Sequence, residues 1–219
     1  MSAKLTISTP HLALFVARRS SGKTHLQKHL LYVLAKGGRF KWVLVITPTA
    51  FNGEWASIVG AENVLPVFDP EQVEILMQRQ ADLREDGIEN SGLLCLDDCL
   101  GSANFQSELF TKIASAGRHY RITVWASFQH YHKCPTVIRT NADYLYIMGV
   151  QKKRVLKSLW DEYGGLSFND VKALRAFDLK TTENFGALCV DNTAAGARGS
   201  PVRTVRAPAR LPMFKISQR

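Results

Sequence analysis

The segment HLALFVARRSSGKTHLQKHLLYVLAKGG, residues 11–38, contains three parts in an order that decides the fold. It begins with a nearly continuous apolar run, residues 11–17, which is typical of a buried strand. A short polar loop follows. The segment ends in a predicted helix, residues 24–38, whose leucines share one side and which closes at two glycines. A strand, a polar loop and a helix in this order predict the first unit of an α/β fold.

Further apolar runs alternate with segments of helical period along the rest of the chain. The runs are residues 42–47, 64–68, 92–97, 122–127 and 143–148. Because they are continuously apolar rather than alternating, they predict strands of a mainly parallel sheet that is covered on both faces. Helices are predicted at residues 69–85, 103–117, 150–165 and 168–177. Asp69 is the expected cap of the first of these, with Pro70 at its first position.

The length of 219 residues and the absence of a long linker predict one α/β domain, residues 1–195. The remaining stretch, residues 196–219, is rich in Gly, Ala, Pro and Arg and is expected to belong to the same domain. We expect an edge strand or hairpin partner for residues 186–192, followed by a loosely ordered basic tail.

The formal net charge of +9 favours an acidic partner, with nucleic acid first and an anionic membrane surface second. A soluble basic protein without such a partner has the same composition. The four cysteines show neither a CxxC pair nor zinc-ligand spacing, which indicates reduced thiols in a cytosol-like compartment. No apolar run approaches the roughly 18 residues of a membrane span, and the first residues do not have the pattern of a signal peptide. We therefore expect a soluble intracellular protein.

The loop ARRSSGKT, residues 17–24, ends like a phosphate-binding loop. In such a loop the backbone N–H groups face the phosphates, Lys23 reaches the β and γ groups, and the Thr24 hydroxyl binds Mg²⁺. The predicted nucleotide-binding residues are Arg19, Ser20, Ser21, Gly22, Lys23 and Thr24. Ala17 stands where the motif GxxxxGK[ST] begins with glycine. Its methyl group is a mild change at negative φ, but it would strain a left-handed turn.

Polar residues also end two later strands. Asp97 and Asp98 end the apolar run GLLCLDD, where Asp97 is the candidate that holds Mg²⁺ through water and Asp98 the general base that activates the attacking water. Gln129 follows the next run and is placed to hold that water or to sense the γ-phosphate. The alternatives are that the acids cap a helix and that Gln129 is an exposed loop residue. Arg118 precedes its strand, so a catalytic role would require the site of a neighbouring subunit, as an arginine finger.

The order ARRSSGKT, LLCLDD, GRHYRITVWASFQ and CPTVIRTNADYLYIM resembles the FtsK/HerA superfamily of DNA-pumping ATPases. It is most similar to the small poxvirus-type genome-packaging ATPases of double-stranded DNA viruses, over roughly residues 11–150. The resemblance implies a three-layer RecA-like (ASCE) P-loop NTPase with a mainly parallel central sheet, ATP and Mg²⁺ as cofactors, and ATP hydrolysis coupled to translocation of DNA.

The resemblance also implies roles for individual residues. It makes Lys23 and Thr24 phosphate and metal ligands, Asp97 the metal-holding acid, Asp98 the catalytic base and Gln129 the sensor. It suggests Arg118 as the residue contributed in trans. Arg139 is a second candidate for γ-phosphate sensing or subunit contacts, and the sequence does not rank the two arginines. The chain departs from the pattern at Ala17, and at Asp98 where glutamate is usual.

The partners that the resemblance implies are double-stranded DNA, further copies of the chain in a ring of five or six subunits, and a viral capsid at its portal vertex. The expected location is the host cytoplasm, a viral factory or the virion. Basic residues that could contact DNA phosphates are Lys152, Lys153, Arg154, Lys157, Arg198, Arg203, Arg206, Arg210, Lys215 and Arg219. Two other functions stay open at this point. One is a nucleoside or small-molecule kinase, and the other is a nucleotide-binding capsid or DNA-binding protein with weak hydrolysis.

Overall fold

A computed structural model describes residues 7–99, 108–149, 152–163, 171–193 and 201–216. In these ranges the chain builds one sheet of eight strands in the order β3-β2-β4-β5-β1-β6-β7-β8. The strands are β1 (Leu12–Ala17), β2 (Trp42–Ile46), β3 (Val64–Leu65), β4 (Gly92–Leu96), β5 (Ile122–Phe128), β6 (Tyr144–Met148), β7 (Ala187–Asp191) and β8 (Val202–Val205). The first six strands are parallel, and β7 and β8 add antiparallel pairs at one end.

Helices cover both faces of the sheet. They are α1 (Lys23–Lys36), α2 (Ala56–Val59), α3 (Pro70–Glu85), α4 (Glu108–Ala116), α5 (Thr136–Asn141), α6 (Lys153–Glu162) and α7 (Val171–Thr182). Buried side chains of α1 and α2 form one core with alternate residues of β1, and side chains of α3 to α7 form a second core with the others. The three-layer α/β architecture with a mainly parallel sheet is thereby confirmed. None of the helices in the described ranges has both the length and the hydropathy needed to cross a bilayer.

The predicted strands and helices correspond to observed elements, with differences in length. The run at residues 64–68 forms a strand of only two residues, because Pro66 has no N–H to donate to a ladder. The helix predicted at 168–177 continues to Thr182. Asp69 caps α3 through Glu71 N and Gln72 N, as predicted. The sequence does not predict α2 and α5, of four and six residues, because helices this short show no amphipathic period.

Parts of three predicted helices lie outside the described residues: positions 103–107 of the helix at 103–117, positions 150–151 and 164–165 of the helix at 150–165, and positions 168–170 of the helix at 168–177. The proposed boundary between residues 195 and 196 also falls outside the described ranges. The expected hairpin partner of residues 186–192 is confirmed, because β8 pairs antiparallel with β7.

The prediction of a loosely ordered C-terminal tail is wrong for residues 206–216. Ile216 N donates to Ile58 O at 2.9 Å, and the Phe214 ring packs edge-on against Tyr32 with centroids 5.2 Å apart. Ala207, Phe214 and Ile216 contact the core on the α1 face of the sheet. Composition alone does not indicate this, because a few apolar side chains between the arginines and prolines are sufficient to pack the segment against the core.

The four cysteines are all buried, and no disulfide joins any of them. Burial raises the pKa of Cys99 to about 12 and that of Cys189 to about 11. These two thiols therefore stay protonated at neutral pH and pack as small side chains in the core.

Candidate nucleotide-binding site

The candidate site is a cleft of about 390 Å³ where three neighbouring parallel strands end. In the sheet β1 lies next to β5, and β5 lies next to β4, so their carboxyl ends meet at one edge. Residues that follow each strand line the cleft. The predicted residues found together there are Arg19, Ser20, Ser21, Gly22, Lys23, Thr24, Asp97, Asp98 and Gln129.

The loop between β1 and α1 has the backbone of an anion site. Ser20 and Gly22 have positive φ, 59° and 84°, and Gly22 is the N-cap of α1 in the left-handed conformation. Ser21 Oγ donates to Arg18 O at 2.6 Å and steadies the turn. No side chain within the described ranges caps α1, and its first turn carries no acid. The N–H groups at its start are therefore directed at the cleft, where an anion is favoured.

Ala17 does not disturb this loop. It is the last residue of β1, is fully buried, and pairs with Met148 of β6 in a parallel ladder. Its φ is not positive, so its methyl group causes no backbone strain. The positive φ values in the loop fall at Ser20 and Gly22 instead. The missing first glycine therefore gives no structural reason to regard the loop as degenerate.

Lys23 lies between the two carboxylates. Its Nζ is 3.3 Å from Asp97 Oδ1 and 3.5 Å from Asp98 Oδ1. Asp97 is buried, and its Oδ2 accepts hydrogen bonds from Thr24 Oγ1 at 3.3 Å and from Trp55 Nε1 at 3.1 Å. Its Oδ1 is also buried and has no hydrogen-bond partner among the described residues, although the Lys23 ammonium is close. Asp97 is thus held in place through one oxygen, while the other keeps its acceptor capacity.

Trp55 is a site residue that the sequence did not indicate. Its side chain is buried, and its indole N–H finds its acceptor on Asp97, 42 positions later in the chain. No spacing rule connects the two residues. The only available signal is general: a buried indole N–H requires an acceptor.

Asp98 and Gln129 contact each other directly. Gln129 Nε2 donates to Asp98 Oδ1 at 2.9 Å and to Oδ2 at 2.8 Å. Asp98 has a φ of 61°, a conformation that aspartate tolerates better than most residues, and its side chain is more accessible than that of Asp97. The two adjacent acids therefore have different surroundings, one enclosed and one open to the cleft.

Neither candidate arginine lines the described part of this cleft. Arg118 lies before β5, at the opposite edge of the sheet, where its Nη1 is 3.4 Å from Asp143 Oδ1 and its side chain is 59% exposed. Arg139 lies on α5 with a side chain only 16% exposed. It pairs with Glu162, and its guanidinium lies over the Tyr131 ring at 5.1 Å.

The predicted DNA-contacting residues fall into two groups. Lys152, Lys153, Arg154 and Lys157 are exposed at and near the start of α6. Lys152 and Arg154 share a groove of about 620 Å³ with Arg18, Arg19 and Gln129. In the C-terminal group, Arg203 pairs with Asp191 at 3.2 Å and Arg206 donates to Glu183 O at 2.9 Å. Arg210 and Lys215 are exposed, whereas Arg198 and Arg219 lie outside the described residues.

The sheet order and the cleft together define a RecA-like P-loop NTPase fold. The poxvirus A32 protein family matches residues 3–160, more than half of the chain, and the chain belongs to this family. It is 27% identical over 186 residues to the uncharacterised protein 075L of Invertebrate iridescent virus 6, which covers 82% of this chain and 69% of that protein. It is 25% identical over 191 residues to the uncharacterised protein L437 of Acanthamoeba polyphaga mimivirus, with 81% and 65% covered.

Solved structures with the same fold include the genome packaging NTPase B204 from Sulfolobus turreted icosahedral virus 2 in complex with AMPPCP. Its TM-score is 0.64 at 17% identity, with 92% of this chain and all of that chain covered. The pCW3 conjugation coupling protein TcpA with ATPγS gives 0.60 at 13% identity, with 91% and 60% covered. These likenesses confirm the predicted fold class. Together with the family, they support the predicted role of a DNA-packaging ATPase.

Proposed function

We propose that this chain is the ATP-hydrolysing subunit of a motor that moves viral double-stranded DNA into a preformed capsid. The observation that carries this proposal is the cluster at the sheet edge. There the Lys23 ammonium lies within 3.5 Å of both Asp97 and Asp98, and Gln129 binds Asp98. The family membership supports the DNA-packaging role.

The phosphates of ATP would lie at the start of α1. The N–H groups of the loop from Ser20 to Thr24 donate to them, and the helix dipole favours their charge. Lys23 already reaches the cleft, where it neutralises two carboxylates. When the phosphates enter, its ammonium exchanges these carboxylates for the β and γ groups.

Thr24 and Asp97 fit a Mg²⁺ ion. A hydroxyl and a carboxylate are the oxygen ligands that this ion prefers, and Asp97 Oδ1 is buried with unused acceptor capacity. The ion, when bound, neutralises charge on the β- and γ-phosphates. Trp55 Nε1 and Thr24 Oγ1 fix the orientation of the Asp97 carboxylate, which holds the ion directly or through water.

Hydrolysis would use Asp98 and Gln129. Asp98 accepts a proton from the attacking water, and Gln129 orients that water through its amide. In the structure both Asp98 oxygens accept from the Gln129 amide. A water molecule takes the place of one of these bonds, so the base and its orienting partner are already in contact before the substrate arrives.

We assign the trans role to Arg118 rather than Arg139. Arg139 is engaged within its own subunit by Glu162 and Tyr131, whereas the side chain of Arg118 is exposed and pairs with Asp143 alone among the residues that the structure describes. Its position at the opposite edge of the sheet suits a ring of five or six copies that docks at a capsid vertex, in which one subunit completes the cleft of the next.

The trans assignment can be tested by mixing subunits. Arg118→Ala retains an intact cleft and Lys23→Ala retains an intact arginine, so a mixed assembly contains some complete sites. We expect each variant alone to be inactive and the mixture to recover part of the ATPase activity. No recovery in mixed rings, verified as mixed by mass, would contradict the assignment.

The start of α6 is the proposed DNA contact. Lys152, Lys153 and Arg154 place positive charge at the N-terminal end of a helix, where the helix dipole disfavours it and a phosphate would offset it. Contacts of this kind bind any sequence and depend steeply on salt. We expect Lys153→Ala to reduce the slope of log Kd against log salt by about one phosphate contact. An unchanged slope would remove this residue from the DNA surface.

The experiment that tests the function as a whole is ATPase activity with and without double-stranded DNA, with assembly state monitored by light scattering. We expect DNA to stimulate hydrolysis in step with oligomer formation, and Lys23→Ala to abolish both basal and stimulated rates. Phosphate transfer to a nucleoside without DNA would instead indicate a kinase. Nucleotide binding without hydrolysis, even with DNA present, would indicate a DNA-binding or capsid protein.

A further inference from the structure

A second cavity, of about 500 Å³, begins where the phosphate cleft ends. It shares Gly22 and His25 with the cleft, so the two lie side by side at the start of α1. The carboxylates and Gln129 line the cleft but not this cavity. Its other walls are Asn184 and Phe185 on one side and residues 206–209 on the other.

Phe185 forms an unusual wall. Its side chain is 64% exposed, although it sits beside the phosphate loop and two residues before the buried strand β7. Asn184 and Phe185 have successive positive φ values of 51° and 60°. Asparagine tolerates this left-handed conformation, but a bulky residue such as Phe185 is strained in it. A Cβ built on Gly22 would lie 3.2 Å from Phe185 Cβ and Cδ1, so the ring is close against the loop. Strained backbone that exposes a large aromatic side chain contributes little to the core and points to a ligand.

The opposite wall is tied to the same parts of the chain. A His25 ring nitrogen lies 2.7 Å from Pro208 O, which joins the C-terminal segment to α1. Arg206 Nη2 donates to Glu183 O at 2.9 Å and joins that segment to the turn that carries Phe185. The two walls therefore keep their separation through polar contacts, and the cavity between them is preformed.

We propose that this cavity binds the nucleobase of ATP, with the base stacked on the Phe185 ring. The proposal rests on the proposed function, since it requires the triphosphate to lie along the start of α1. With the γ-phosphate at Lys23, Asp98 and Gln129, the nucleoside end of the molecule extends past His25 into the cavity. A base offers a flat π-face to an exposed aromatic ring whatever its hydrogen-bonding pattern, so Phe185 supplies affinity for the nucleoside.

The test compares two ligands, ATP and inorganic tripolyphosphate, each titrated with Mg²⁺ by calorimetry. Tripolyphosphate occupies the phosphate cleft but has no base. We expect Phe185→Ala to weaken ATP binding about tenfold or more and to leave tripolyphosphate binding unchanged. Phe185→Tyr, which retains the aromatic face, should bind ATP like the parent chain. Phe51→Ala is the matched control, because Phe51 is 88% exposed and lines neither cavity.

Two other outcomes would overturn the proposal. Unchanged ATP affinity in Phe185→Ala overturns the proposal, as does an equal loss for both ligands, which would make Phe185 a support of the loop. Thermal unfolding of each variant shows that it is folded. Lys23→Ala separates this proposal from the proposed function, because it should weaken both ligands. If it weakens neither, the phosphate assignment itself fails, whatever Phe185 does.

Discussion

An aspartate lies at each edge of the sheet, but the two carboxylates have different hydrogen-bond partners. At the carboxyl edge, Asp97 is held through one oxygen, and the other is buried without a hydrogen-bond partner in the described chain. At the amino edge, Asp143 uses both oxygens: one accepts from Leu12 N at 2.8 Å and the other pairs with Arg118. Both aspartates lie at the ends of strands close to the middle of the sheet and both face a cation, but the cation beside the buried Asp97 oxygen is Lys23, which a bound phosphate would draw away.

The backbone shows the same contrast. The carboxyl edge contains positive φ values at Ser20, Gly22 and Asp98, which place polar groups around an open space. Arg121 at the amino edge also has a positive φ, 56°, but there the polar groups are bonded: its N–H donates to Arg118 O and its guanidinium to Ile88 O. At the amino edge, His11 is buried between Ser8 O and Trp125 Nε1, at 2.6 Å and 3.0 Å from its two ring nitrogens. Satisfied polar groups stabilise a fold, while unsatisfied and strained ones are retained where a ligand completes them. We therefore expect substitutions at the carboxyl edge to change activity and those at the amino edge to change stability, except at Arg118, whose proposed role is in the cleft of a neighbouring subunit.

The largest expected effect is that of Lys23→Ala. In the proposed mechanism the Lys23 ammonium stabilises charge on the transferred phosphate, so we expect its removal to lower ATP turnover by about 10³-fold. Steady-state phosphate release measures it. Lys36→Ala, an exposed lysine in the last turn of the same helix, should retain the parent rate. Normal turnover in Lys23→Ala would show that this edge is not catalytic.

Asp98→Asn should reduce turnover by about 10²-fold or more while ATP binding persists, because an amide cannot accept the proton from water. The measurement is kcat together with a separate titration of ATP. Asp98→Glu restores the carboxylate one methylene further out and should recover part of the rate. A similar loss in both variants would assign Asp98 to the geometry of the loop rather than to proton transfer.

The buried His11 predicts a stability effect of the amino edge. Burial lowers its pKa from 6.5 to about 4, so the folded protein keeps the ring neutral while the unfolded chain binds a proton. This stabilisation is fully present above pH 6.5 and is lost as the pH falls towards 4, by about 3 kcal/mol. Denaturant unfolding at several pH values measures it. The His11→Gln variant has no titrating side chain at this position, so its free energy of unfolding should fall less over the same pH interval. If the free energies of the parent chain and the variant fall in parallel, His11 is not the group responsible.

The smallest expected effect is that of Arg118→Ala on stability. The Arg118 side chain is largely exposed, and Asp143 keeps its hydrogen bond from Leu12 N when the arginine is removed, so the free energy of unfolding should change by less than about 1 kcal/mol. If Arg118 acts in trans as proposed, the same substitution should nevertheless abolish hydrolysis. Arg121→Ala, which removes an arginine of the same turn paired with Glu89, is the control for activity. A large loss of stability in Arg118→Ala would indicate that Arg118 has a structural role at the amino edge and no role in trans.

The sequence predicts those parts of the site that are encoded locally. Lys23 and Thr24 belong to a motif, and Asp97, Asp98 and Gln129 follow apolar runs that must be strands, so their meeting at one edge follows from parallel topology. Trp55 and Phe185 could not be found in this way. Their contacts with Asp97 and Gly22 arise only when distant segments pack together. The sequence predicts a loose tail at residues 206–216 because arginines and prolines interrupt its apolar residues, which therefore show neither a helical nor an alternating period.

Ala17, the departure from the expected motif, also affects the unfolded chain. Glycine samples more backbone conformations than alanine when unfolded, so fixing it in a strand costs more conformational entropy. Since the last position of β1 has an extended backbone that alanine adopts freely, alanine should stabilise the folded protein by about 0.4–1 kcal/mol relative to glycine. The alanine that gives this gain in stability lies directly before a loop in which Ser20 has a positive φ, a conformation that is unfavourable for serine.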